Sequence, residues 1–98
     1  MRTVEGWKKA RPVLEAWRQK LTDVRVVLKS PRAVDITPID FATGEPVAAH
    51  QAPKKKFKAK LIFFTKDDAT LRRPSGAVLM LDTYELESLS NGKTRVVP

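Results

Sequence analysis

The sequence predicts a small α+β fold: an N-terminal amphipathic helix followed by a mostly antiparallel sheet of about five strands. Three observations carry this reading. Trp7, Ala10, Leu14, Trp17 and Leu21 recur at spacings of three and four, which makes one apolar stripe on a helix. Several segments after Leu21 alternate apolar and polar residues with the period of a strand. Asn91-Gly92 between two such segments is strong hairpin chemistry. A sheet of this strand count can also close into a small OB-like barrel with the helix attached. The 98 residues, 42% hydrophobic and 31% charged, make one domain over 1–98 and are too apolar for a disordered chain.

The elements follow in chain order. Pro12 is tolerated only in the first turn of a helix, so the firm helix is expected over about 12–22, with residues 3–10 a separate turn or a kinked extension. The two tryptophans belong to its core-facing stripe. VRVVLK at 24–29 is a strand, with Val24, Val26 and Leu28 on one side and Arg25, Val27 and Lys29 on the other. Ser30-Pro31 ends it. A second strand is expected over 34–41, bent or stopped by Pro38, then a turn at Thr43-Gly44-Glu45-Pro46. VAAHQAP at 47–53 reads as a loop or a poor edge strand. FKAKLIFFTK at 57–66 is the strongest strand. DDATLRRPSG at 67–76 reads as a long polar loop. AVLML opens a strand over 77–89 that is apolar on both faces, hence central, and 93–97 is its hairpin return.

Charge gives the functional lead. Nineteen basic residues against eleven acidic leave a net +8, and the excess is concentrated. Residues 1–32 carry +6, residues 33–53 carry −3, residues 54–66 carry six lysines and no acid, and residues 67–98 carry −1. Two basic blocks around an acidic spacer form one patch if the fold unites them, and an anionic partner is expected.

Strict alternation puts Lys58, Lys60, Ile62, Phe64 and Lys66 on one face at intervals of about 7 Å. Arg25 and Lys29 repeat the theme, and Lys54, Lys55 and Lys56 extend it. Cations interleaved with aromatic and aliphatic groups suit single-stranded nucleic acid, whose phosphates take Lys and Arg and whose unstacked bases take flat apolar surface. Tyr84 and Met80 extend the candidate surface, and the Arg72-Arg73 pair closes over it. The expected partner is therefore single-stranded DNA or RNA, bound without strong sequence preference. Two blander arrangements compete: the helix covers the Ile62/Phe64 side, or that side buries against a second copy or an acidic protein partner.

Other chemistry finds little support. The absence of cysteine excludes disulfides, thiolate zinc sites and a cysteine nucleophile, and His50 alone excludes a multi-histidine metal site within one chain. Gly92-Lys93-Thr94 ends like a phosphate-binding loop, but Glu87 stands where the first glycine is needed, and with four residues after Thr94 no helix is expected to receive a phosphate. Asp82 and Glu85 differ in strand parity, and Glu85 with Glu87 lacks a nuclease-type lysine nearby. Arg72-Arg73-Pro74-Ser75 is a chance-level kinase string, and His50 has no neighbouring carboxylate or serine partner. No enzyme, cofactor or metal is expected. Neither a membrane span nor a signal peptide is recognisable, so a cytoplasmic location is expected.

Overall fold

Leu14 and Trp17 lie one turn apart and are both buried, as the stripe requires. The structure, a computed structural model, describes residues 1–35 and 53–98. The helix α1 spans Arg11–Lys20, with Ala10 as its N-cap and Pro12 in its first turn, where the missing N–H costs nothing. It ends on Leu21, whose φ of 49° is left-handed, while the Thr22 N–H returns to the Trp17 carbonyl at 3.0 Å.

The helix is not the first element. Strand β1 (Arg2–Glu5) precedes it, where sequence reading places only a turn or a helical extension. β2 (Asp23–Arg32), β3 (Lys54–Phe64), β4 (Asp68–Arg72), β5 (Val78–Asp82), β6 (Leu86–Ser90) and β7 (Thr94–Val97) follow, with a 3₁₀ turn at Thr83–Glu85. Among the described residues the sheet has seven strands in the order β1-β7-β6-β2-β3-β4-β5. Every neighbouring pair is antiparallel except β1 and β7, so the sheet is mixed.

Several expectations need correction. The 67–76 loop contains β4, whose Ala69 and Leu71 turn inward between Asp68, Thr70 and Arg72. Two small inward contacts are a faint pattern amid polar neighbours. The single strand over 77–89 is two strands divided by the 3₁₀ turn. β2 continues through Ser30-Pro31 because its ladder with β3 is interrupted between Val27 and Arg32, so Pro31 need not donate there. Val34 is buried and Asp35 sits in a bend, both outside any strand. The remainder of the strand expected over 34–41, the turn after it and His50 lie outside the described residues.

A barrel does not form, because no ladder among the described residues joins the two edge strands, β1 and β5. The sheet is nevertheless strongly curled. Flat, it would hold β5 and β6 four strand spacings apart, about 19 Å. The chain from Asp82 to Leu86 reaches at most ~14 Å. Curling brings the ends of β5 and β6 within reach and gathers the inward side chains of six strands, β2 to β7, around one core. Val24, Val26, Leu28, Phe57, Ala59, Leu61, Leu71, Leu81, Leu86, Leu89 and Val96 line it, and Trp7, Ala10, Leu14 and Trp17 complete it.

The register of β3 against β4 decides what faces outward. Leu61 pairs with Leu71, Phe63 with Thr70 and Phe64 with Ala69. Two steps along β3 therefore match one step along β4, and Ile62 is the extra residue of a bulge. Beyond it the alternation is inverted. Phe63 is 57% exposed, and Phe64 packs against the core. Phe63→Ala should change stability by no more than about 0.5 kcal/mol, as for an ordinary surface site. Phe64→Ala should destabilise clearly, approaching the ~3 kcal/mol of a core aromatic truncation. Urea denaturation of the two variants checks this; strict alternation through β3 requires the opposite ranking.

Candidate functional site

The outward face is built from cross-strand rows, in which directly opposed side chains have Cβ atoms about 5 Å apart. In the middle row Arg95 of β7 pairs with Ser90 of β6, Ser90 with Arg25 of β2, and Arg25 with Lys58 of β3. The next row runs Asp23, Lys60, Arg72 and Val78 across β2 to β5. Beyond it Phe63, Thr70 and Met80 stand side by side, with Met80 65% exposed. On the other flank Val27 faces Lys56, and Arg32 faces Lys54. A cationic band thus adjoins an apolar step of Phe63, Met80 and Val78. No described element packs over it.

Three of these pairs place like charges opposite each other: Arg25 with Lys58, Lys60 with Arg72, and Arg32 with Lys54, where Glu85 Oε1 lies 3.8 Å from Arg32 Nη1. Such pairing is unfavourable unless an anion is nearby. Lys60 has one: its Nζ donates to Asp23 Oδ1 at 2.7 Å and to the Leu21 carbonyl at 3.3 Å. The hydrogen bond and charge of Lys60, with Lys58 adding to the field, hold the Asp23 carboxyl below its usual range. Arg25, Lys58 and Arg72 are exposed and form no ion pair among the described residues.

The predicted residues therefore divide. Arg25, Lys56, Lys58, Lys60 and Arg72 come together on one face. Lys54 and Lys55 are exposed at the start of β3, and Lys29 is exposed on β2 beyond its regular pairs with β3. Ile62 is half-buried in the bulge. Phe64 leaves the face because the bulge inverts its parity. Lys66 follows the end of β3 and lies beside Trp7 on the helix side. Tyr84, 71% exposed, sits in the 3₁₀ turn among acids. A hydrogen bond to the Asp82 carboxylate raises its phenol pKa. Phe63, Val78 and Arg95 were missed; Phe63 was hidden by the bulge, and Arg95 by the unknown strand order.

Arg73 is a further correction. It is no loop arm over the surface but a brace, with its side chain 11% exposed. Its Nε and Nη2 donate to the two Asp35 carboxylate oxygens at 3.1 and 3.3 Å. Its Nη1 donates to the Lys58 carbonyl, and its guanidinium lies 5.2 Å from the centre of the Phe57 ring. Ser75 Oγ adds a 2.5 Å bond to Asp35. The planar guanidinium fork suits this fixed, many-partnered position.

Among the described residues no group of three or more His, Cys, Asp or Glu gathers to hold a metal ion, and no helix is long and apolar enough to cross a membrane. Comparison with protein-family models, curated proteins and solved structures finds no match for this chain.

The brace has a pH signature. Hydrogen bonds from Ser75 and then Arg73 lower the Asp35 pKa in the folded state. A depressed carboxylate stabilises the fold above its unfolded pKa, about 3.9, and loses that contribution as pH falls through the folded value. Asp35→Asn should therefore be less stable than wild type at neutral pH, with the gap narrowing as pH drops below about 4. Thermal melts of both proteins across that range measure it.

Proposed function

We propose that this protein binds single-stranded nucleic acid on the outward face of β2, β3, β4 and β5, without strong sequence preference. The observation that carries the reading is the juxtaposition of Arg25, Lys58 and Arg72, without an ion pair among the described residues, with exposed Phe63 and Met80 on adjoining rows. In this reading Arg25, Lys56, Lys58 and Arg72 neutralise phosphates and relieve the like-charge pairs. Phe63 stacks on an unpaired base, and Met80 and Val78 widen the apolar step. A duplex offers phosphates but no free base faces, so the apolar step favours single strands. The wide spread of cations across three strands fits a partner held by charge rather than by base-edge hydrogen bonds.

A second reading draws on β5 itself. It is the last strand of the sheet, its outer backbone edge is unpaired among the described residues, and Val78 and Met80 are exposed on it. Self-association or docking of a protein strand would use that edge. Light scattering separates the readings, since edge pairing yields a dimer without nucleic acid.

For the nucleic-acid reading, fluorescence anisotropy with oligo-dT should show affinity falling about 50-fold between 50 and 200 mM salt if some four phosphates are engaged. Lys58→Ala should reduce the log–log salt slope by about 0.7. Phe63→Ala should weaken binding by roughly fivefold to a hundredfold with the slope unchanged, since a stacked base contributes about 1–3 kcal/mol. Absence of binding at low salt, or full affinity in Phe63→Ala, refutes the assignment.

A further inference from the structure

The bulge that turns Phe63 outward also turns Phe64 toward α1, into a cleft of about 390 Å³ lined by Trp7, Lys8, Arg11, Phe64, Thr65 and Lys66. This volume lies within the range of small-ligand sites, roughly 300–1,000 Å³. The floor is aromatic. Trp7 is fixed there because its Nε1–H donates to the Thr65 carbonyl at 2.6 Å, which satisfies its polar atom; the residue is 8% exposed, and what its ring shows to the cleft is apolar. The rim is cationic. Lys8, Arg11 and Lys66 are exposed, and none makes an ion pair among the described residues.

The neighbouring acids are engaged or lie outside the lining. Glu15, one turn along the helix from Arg11, is held by Arg18 and Gln19. Asp68 accepts the Thr65 hydroxyl at 2.8 Å. Asp67 follows Lys66 in the turn and does not line the cleft. Arg11 is also the first residue of α1, which has no side-chain cap and no acid in its first turn, so the positive end of the helix adds to the same field.

We propose that this cleft binds a small planar aromatic anion. The ring lies against Trp7 and Phe64, and its phosphate or carboxylate meets Lys8, Arg11 and Lys66. A neutral ring would leave Lys8 and Lys66 uncompensated and Arg11 with only the field of Glu15, which Arg18 already holds, and a bare inorganic anion would leave the aromatic floor unused. The site faces α1 rather than the outward face of the sheet, and it stands whether or not that face binds nucleic acid.

The two indole N–H signals in a ¹H–¹⁵N spectrum of the full chain supply the test, because Trp7 lines the cleft and Trp17, which does not, is an internal reference. Trp17→Phe assigns them. Probes are AMP and 2-naphthoate, one a phosphate and one a carboxylate, with adenosine and inorganic phosphate as controls. The expected result is a saturable shift of the Trp7 signal with AMP, 2-naphthoate or both, leaving Trp17 in place. Each control should bind at least roughly tenfold more weakly, and Arg11→Glu with Lys66→Glu should weaken the aromatic anion by a similar factor or more. The proposal is overturned if neither aromatic anion shifts Trp7 at about 10 mM, a concentration that largely fills even a millimolar site. It is equally overturned if adenosine binds as well as AMP where AMP is the ligand, or if a folded charge-reversed variant binds unchanged. The wild-type series decides alone should that variant fail to fold.

Discussion

The extra residue at Ile62 governs both surfaces of β3. Before it, Phe57, Ala59 and Leu61 point into the core, while Lys56, Lys58 and Lys60 point out. After it the order is exchanged, and two consecutive phenylalanines serve opposite sides. A strand of eleven residues without this insertion would send Phe63 inward and Phe64 outward. The insertion keeps an aromatic at the end of each face. It also adds local twist, which a sheet needs if a three-residue 3₁₀ turn is to carry the chain from β5 to β6.

Electrostatics divides the basic residues into those that hold the fold and those left over. Arg73 and Lys60 are committed: one clamps Asp35 against Phe57, and the other holds Asp23 and the end of α1. Their partners are the acids within reach. What remains on the outward face of β2 to β4 is a set of cations facing each other across strands, an arrangement that costs free energy in the isolated chain. The rim of the Trp7 cleft repeats the pattern on a smaller scale. In both places positive charge adjoins aromatic surface, so the two surfaces ask for related chemistry at different sizes.

Much of the framework was legible in the sequence. The helical stripe placed Leu14 and Trp17 correctly in the core, Pro12 marked the first turn, and alternation located β2, β3 and the inward sides of both through Leu61. Asn91-Gly92 lies at the β6–β7 connection, where Asn91 Oδ1 accepts the N–H groups of Lys93 and Thr94 at 3.0 and 2.8 Å. What escaped has common causes. β1 and β4 contribute only one and two inward apolar side chains, too few to set a period. The bulge leaves no mark in composition, because LIFF fits either parity equally well. Arg73 and Arg72 are neighbours of identical type, and only the tertiary position of Asp35 separates the brace from the exposed cation.

The parallel pairing of β1 with β7 ties the order of synthesis to the order of assembly. Arg2 donates to the Lys93 carbonyl at 3.0 Å and Gly6 to that of Val97 at 2.8 Å, so a segment made early docks on one made much later. Until residues 94–97 emerge, the N-terminal strand has no ladder to join, and Val4 has no Val96 to lie beside. Nascent chains would thus carry a completed β2–β5 meander with its first segment still unattached. Closing that edge fastens residues 2–5 and 94–97 side by side across the whole intervening sequence.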